Sequence, residues 1–490
     1  MRQAVVGSAL GIFLCLTLAA CGSSTSSTSM TGSPGSGASA VPATLSIHDN
    51  PPTGVTILRF ELQVTAATLQ PATAGATPVN MLNRPQEVEL EHLQTESALL
   101  ANTMVPAGTY NGLTATFANP QMTIFNQGST TLMAGGQSCP AMQICTLTPT
   151  LNQMTATIQA PTAPFPVTLS ATSPLAFFLH FDVNASVQGD LSITPMVTLS
   201  QAPLMPQGGH EHMQLVGIVT AVSSPGFTLL SGFSGQSSNI TTDSNTLYDF
   251  DGSCAANNFS CIMVGQVLRV KVNPMSGGVL EAVKVKLLEL QGHPSVEGTV
   301  TSTNAAQNQF QIVVADREDQ DNHFGQMSMG ISVTVQLSSS TTFSIDSDGL
   351  TLPSGVSFAG IQDFVVGQSV EFQPQLPITV TGTPPNVQIT VNASSVRLES
   401  SHVTATVSAV NGGGSPPNFT INMLPPLFTG AMISTIQVDV VTGTEFENIS
   451  GIGALASGQT VSVSGLLFNT ATQPTLVAQE VKQRGQPGED

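Results

Sequence analysis

Tryptophan is absent from this chain, and tyrosine occurs only at Tyr110 and Tyr248. Platforms on which bases stack are built from aromatic side chains, and carbohydrate sites prefer Trp and Tyr, so both ligand classes are disfavoured. Charge is scarce as well. Only 8% of the 490 residues are Asp, Glu, Lys or Arg, against roughly 25% in an average soluble protein. Cations are the rarest of all: 11 Lys and Arg face 30 Asp and Glu, for a formal charge of −19. Such a balance repels polyanions and speaks against a nucleic-acid partner. Signatures of catalysis are also missing. Neither HExxH nor GxSxG occurs, and Gly451-Ile452-Gly453-Ala454-Leu455-Ala456 fits a dinucleotide loop only on paper, because it leads into a strand pattern rather than a helix.

What remains is a chain able to fold. Hydrophobic residues make up 41% and the mean hydropathy is +0.20, so large cores can form and disorder is disfavoured. The length implies about three or four domains. With so few charges, the surface must be made of Ser, Thr, Asn, Gln and Gly.

Arg2 supplies a positive start, and Ala4 to Leu18 forms an apolar run of signal-peptide length. The run ends in Leu18-Ala19-Ala20-Cys21-Gly22, which resembles the lipobox of bacterial lipoproteins. The resemblance implies removal of residues 1–20, lipidation at Cys21 and a membrane partner reached through the lipid anchor. Gly22 is not an acidic retention residue, so the family rule points to the outer membrane, facing the periplasm or the cell surface. An ordinary secretory signal or a single span with an incidental cysteine competes with this, but a span needs about 20 apolar residues. Residues 21–41 are Ser- and Gly-rich without apolar period, as expected of a flexible tether.

From residue 42 the pattern is β. Alternating runs such as Leu58–Val64, Leu113–Phe117 and Ala176–Phe181 are separated by Pro51-Pro52, Asn119-Pro120 and Gly135-Gly136. Residues 42–203 are therefore expected to form an antiparallel β-sandwich of transthyretin or immunoglobulin type, with Val88–Asn102 as the one stretch where a short turn or helix fits. Ser46-Ile47-His48-Asp49-Asn50-Pro51, Val105-Pro106-Ala107-Gly108-Thr109-Tyr110 and Phe181-Asp182-Val183 resemble the bacterial family known as domain of unknown function 4382.

A second organisation follows and repeats over 214–291, 294–399 and 401–484. Gly217-Ile218-Val219, Phe227-Thr228-Leu229, Thr246-Leu247-Tyr248, Val264-Gly265-Gln266 and Ala282-Val283-Lys284-Val285 recur in order. Their counterparts include Gly367-Gln368 with Thr341 and Ala393, then Gly458-Gln459 with Thr444 and Ala478, although Ala405 replaces the first glycine in the last unit. The series resembles the family known as domain of unknown function 5666, found in tandem in exported bacterial proteins. Three small OB-like β-barrels are the expected fold, so the whole chain reads as all-β. The short polar junctions at 204–213, 291–294 and 399–402 suggest separate beads on a string.

Candidate chemistry is sparse. Cys139 and Cys145, and Cys254 and Cys261, form close pairs whose spacing suits two local disulfides in an exported protein better than a metal site. Asp316, Glu318, Asp319 and Asp321 offer oxygens for calcium, though without an EF-hand pattern, and a solvated loop is the plainer reading. Asp249-Phe250-Asp251-Gly252 and Asp346-Ser347-Asp348-Gly349 read as turns. His210-Glu211-His212, His293 and His402 lie at junctions, where convergence on a metal is disfavoured. Arg269, Lys271, Lys284 and Lys286 read as a solvated face. Two functions remain: a non-catalytic, lipid-anchored envelope protein that binds, adheres or supports, with an envelope or extracellular ligand left open; or an envelope hydrolase or transport component built around His48, Asp49 and Asp182.

Overall fold

A computed structural model describes residues 40–50, 56–94, 97–204, 213–231, 237–250, 254–275, 278–289, 295–318, 327–347, 349–382 and 388–484. Strands dominate, and the helices among the described residues are single turns, the longest being Pro426–Gly430. None is long and apolar enough to cross a membrane.

The N-terminal unit is a two-sheet sandwich. In one sheet Ala40–Asn50 lies between Leu175–Asp182, which it pairs in parallel, and Ser97–Pro106, with Val197–Pro203 at the outer edge. The other is centred on the long hairpin of Thr56–Pro71 and Gly108–Asn126, flanked by Thr155–Gln159 and shorter strands. Alternate residues of each sheet face inward, and Leu45, Ile47, Phe60, Phe117, Phe177 and Phe181 fill the core. The Phe181 ring stands edge-on to both Phe60 and Phe117, at centroid distances of 6.0 and 5.6 Å.

The Pro106-Ala107-Gly108-Thr109-Tyr110 motif has a local reason. The Tyr110 hydroxyl donates to the Pro106 carbonyl at 2.7 Å, closing a tyrosine corner between successive strands. Over Val88–Asn102 the helical option is not taken. A single 3-10 turn at Glu91–Gln94 separates the strands Gln86–Glu89 and Ser97–Pro106. Leu90, Leu93 and Leu100 still reach the sandwich core.

Each of the three following units closes a five-stranded barrel. In barrel 1 the strands are Met213–Ser223, Gly226–Leu230, Ser237–Thr241, Val267–Pro274 and Leu280–Glu289. The first pairs with the second, the second with the third, the third in parallel with the fifth, the fifth with the fourth, and the fourth back with the first. Barrel 2 (Ser295–Asn304, Gln309–Glu318, Ser332–Gln336, Ser369–Thr381, Gln388–Glu399) and barrel 3 (Ser401–Asn411, Asn418–Asn422, Ile436–Glu447, Thr460–Phe468, Thr475–Gln483) repeat that order. This is the OB-like connectivity expected from the sequence.

The residues that recur between units are spent on closing each barrel. Gly265, Gly367 and Gly458 have φ of 93°, 90° and 92°, a region that favours glycine. The amide of each donates to the first strand at 2.8 Å, on the carbonyls of Val219, Val300 and Val407. The glutamine that follows folds back over the turn. The side-chain oxygens of Gln266, Gln368 and Gln459 accept the amides of Met263, Val365 and Ala456 at 2.8, 2.7 and 2.7 Å. The hydroxyls of Thr246, Thr341 and Thr444 donate to the carbonyls of Ala282, Ala393 and Ala478 on the last strand at 2.9, 2.9 and 2.7 Å.

The units do not sit apart as beads. The described residues from Ala40 to Arg484 form one compact unit. Barrel 1 extends a sandwich sheet, since Met213 and Gln214 pair in parallel with Ser97 and Ala98, and Ala176, Phe178 and Leu204 belong to the core of barrel 1. Leu466, Phe468 and Val477 of barrel 3 complete the core of barrel 2. Leu58, Val313, Val366 and Leu427 bring the sandwich, barrel 2 and barrel 3 into one small apolar cluster. The junctions are polar, as their sequence shows, but the contact is made by strand faces far from them in sequence.

Candidate functional site at the junction of three barrels

The last strand of every barrel carries a cation four residues after its conserved alanine: Lys286 after Ala282, Arg397 after Ala393 and Lys482 after Ala478. Strand alternation places such residues toward solvent or toward a packed neighbour, and for Lys286 the neighbour is barrel 2. Lys286 is only 6% exposed. Its Nζ lies 2.7 Å from Glu399 Oε2 and 2.9 Å from Asp346 Oδ2, both on barrel 2. Arg397 holds the other Glu399 oxygen through Nε at 2.6 Å and pairs with Glu371. Arg269 reaches Glu297 of barrel 2 at 3.4 Å, and Lys271 faces Glu480 of barrel 3 at 3.9 Å. Within barrel 3 the same position is satisfied locally, with Lys482 2.7 Å from Glu447.

The solvated-face reading of Arg269, Lys271, Lys284 and Lys286 is thus corrected. In an isolated barrel these strands would face water, but docking of barrel 2 buries Lys286 and supplies its carboxylates. Asp346 is corrected with them: it is an ion-pair partner across the junction instead of a plain turn residue.

Burial works against the charge on Lys286, but Glu399 and Asp346 outweigh it and hold the ammonium above its ordinary range. Burial would also raise Asp346, yet Lys286 and Lys284 bring it below the usual carboxylate range. Glu399 is pushed up to about 8, first by burial and then by Asp346 and Glu371, which compete for the same two cations; Lys286 and Arg397 only partly oppose this.

The pairs surround a cleft of about 120 Å³. Barrel 1 lines it with Arg269, Lys271, Lys284 and Lys286, and barrel 2 with Glu297, Asp346 and Glu399. Ser400, in the one-residue link to barrel 3, completes the wall with His402 and Gln479. The arrangement presents a guanidinium, ammoniums, a hydroxyl and a side-chain amide to one space. It can bind and orient polar groups and can fasten the barrels together.

On the sandwich side, His180 is half-buried and hydrogen-bonded to the Ser200 hydroxyl at 2.6 Å. Burial, with Lys482 and Arg484 nearby, lowers its pKa to about 3, so it is neutral at ordinary pH.

The other sequence candidates fall elsewhere. Cys139 is bonded to Cys145 and Cys254 to Cys261. Asp182 caps the turn Val183–Ser186, its Oδ1 accepting the Ala185 amide at 2.9 Å. His48 and Asp49 lie on Ala40–Asn50, paired in register with His180 and Phe181, while Asn50 stands opposite Asp182. The first and last motifs of the sandwich therefore share one sheet end, and Asp182 is used there as a cap. Asp316 and Glu318 end the strand Gln309–Glu318. Asp319, Asp321, His210, His212, His293 and Cys21 lie outside the described residues. Among the described residues, no group of three or more His, Cys, Asp or Glu is arranged to hold a metal ion. The junction cluster was missed because its partners come from different units. The one signal in the sequence was that scarce cations recur at one place in a repeated strand.

Comparison with known proteins agrees with this architecture. Residues 42–195 match the family model described as Domain of unknown function (DUF4382), and residues 216–286 and 404–482 match Domain of unknown function (DUF5666). Barrel 2 falls between the two matched segments and has the strand order of its neighbours. No curated protein matches the chain. Among solved structures, one from Drosophila described as Unr CSD456 covers 57% of this chain and 99% of its own, at 9% identity and a TM-score of 0.14, which carries no argument. The chain is therefore built from a DUF4382 domain at 42–195 and DUF5666 domains at 216–286 and 404–482.

Proposed function

We propose that this protein is a non-catalytic, lipid-anchored binding or scaffold component of the bacterial cell envelope, held at the outer membrane through Cys21. The observation that carries the non-catalytic part is where the recurring side chains go. The Gly-Gln pairs and the threonines of the three barrels close turns, and Lys286 on the last strand of barrel 1 ties that barrel to barrel 2. Export is supported by two disulfides in short loops, which persist in oxidising compartments. The anchor is supported by the Leu18-Ala19-Ala20-Cys21 sequence and the Ser/Gly-rich stretch after it, which at roughly 5–6 Å × √n would hold the body about 25 Å from a membrane.

Metabolic labelling with a fatty acid tests the reading. The native chain is expected to incorporate label and fractionate with outer membranes, and Cys21→Ser to lose both. Label retained in Cys21→Ser would overturn the anchor.

A further inference from the structure

We propose that the cleft between the three barrels binds a compact oxyanion of phosphate size. The proposal deepens the reading of the body as a binding module and rests on it, but not on the lipid anchor.

The first argument is where the positive charge has gone. The sequence holds 11 Lys and Arg, and four of them, Arg269, Lys271, Lys284 and Lys286, line this one cleft, with Arg397 on Glu399 at its floor. Elsewhere a chain of net charge −19 repels anions, so this cleft is where one would be drawn.

The second argument is the difference between the floor and the wall. On the floor, Lys286 and Arg397 are clamped to carboxylates at 2.6 to 2.9 Å. On the wall, Arg269–Glu297 and Lys271–Glu480 stand at 3.4 and 3.9 Å, longer and weaker pairs than those of the floor. The wall cations keep part of their surface open, with Arg269 20% and Lys271 17% exposed. Floor carboxylates facing their own cations add little repulsion to an anion above them.

The third argument is an orphan donor. The Ser400 hydroxyl lines the cleft and is buried, yet it finds no hydrogen-bond partner among the described residues. A buried hydroxyl without a partner is unfavourable, and a ligand oxygen at this position would supply the missing hydrogen bond. Together with guanidinium and ammonium donors on the wall, it makes a set suited to a tetrahedral oxyanion. A volume of about 120 Å³ admits such an ion. Because the lining comes from three barrels, a bound ion would bridge them and stabilise the assembled body by mass action.

The test uses the full-length chain in detergent, titrated calorimetrically and melted in sodium phosphate against sodium chloride of matched ionic strength. Saturable phosphate binding with a rise in melting temperature is expected. Ser400→Ala, which leaves every charge in place, should weaken binding severalfold, and Lys284→Gln should weaken it at least tenfold. If Lys284→Gln fails to fold, Ser400→Ala alone decides. Glycerol phosphate forms a second arm: equal binding assigns the site to an esterified phosphate such as a headgroup, and weaker binding assigns it to the free ion. Phosphate acting no differently from chloride, or binding unchanged in Ser400→Ala, would overturn the proposal whatever the outcome of acyl labelling.

Discussion

Lys286 shows how one side chain can change meaning between sequence and structure. Read along its strand it is an alternating polar residue two places after Lys284, of like charge, which suits a solvated face. Its partners, Asp346 and Glu399, lie on the next unit, so no local pattern could reveal them. Removing it leaves two carboxylates facing a buried gap. Lys286→Met should therefore cost about 3–5 kcal/mol in denaturant unfolding, and a loss below about 1 kcal/mol would mean the cluster is solvated after all. Two neighbours set the pH dependence. The pKa of His180 falls from 6.5 to about 3 on folding, so its contribution is complete above 6.5 and is lost as pH falls through 3. The pKa of Glu399 rises from 4.5 to about 8, so its contribution is complete below 4.5 and is lost as pH rises through 8. The two oppose each other between 4.5 and 6.5. His180→Gln is expected to flatten the acid limb of a stability profile and Glu399→Gln the alkaline limb. Unaltered profiles would remove both groups from the account.

At the scale of elements, the strands carrying dense apolar alternation were legible, and so were the Gly-Gln turns. The third strand of barrel 1 was not. Ser237-Ser238-Asn239-Ile240-Thr241 has one buried apolar residue, Ile240, and is recognisable only once its neighbours are in place. The short strand Leu247–Asp249 was the more visible signal, because Thr246 recurs, yet it only lies alongside the last strand of barrel 1. Val88–Asn102, read as a short turn or helix, holds one 3-10 turn at Glu91–Gln94 and no longer helix. Its leucines fit a loose helical spacing, but two strand partners were available and decided the outcome. The recurring glycine also has different surroundings in each barrel. Nothing lies near the position of an added methyl at Gly458, whereas at Gly367 that methyl would run into the Phe428 ring of barrel 3. Gly458→Ala should therefore cost only the left-handed strain, about 1–2 kcal/mol. Gly367→Ala should cost more and should also loosen barrel 2 from barrel 3. Equal melting temperatures for the two variants would contradict that contact.

At the scale of the whole molecule, family and fold class were legible because they depend on motifs and periodicity within units. The arrangement of the units was not, because faces that close a shared core look from sequence like ordinary strand residues. Beyond the core residues already named, polar ties run between units. Gln368 of barrel 2 donates to the Leu467 carbonyl of barrel 3 at 2.8 Å, and Asn469 donates to the Gln362 carbonyl at 2.8 Å. The sandwich joins in through Thr123, which donates to the Gly330 carbonyl at 3.0 Å, and Gln127, which donates to the Pro426 carbonyl at 2.6 Å. Barrel 2 expressed alone over 294–399 would expose the apolar face that Leu466, Phe468 and Val477 cover. It should melt lower than 294–484, in which the pair should unfold in one transition. The most direct measurement is small-angle X-ray scattering from the body over residues 40–490. A single compact unit of that length predicts a radius of gyration of about 22 Å with a symmetric distance distribution. Four beads on flexible links would instead give roughly 30 Å or more with an extended tail, and that result would contradict the shared cores and the ion-pair junction together.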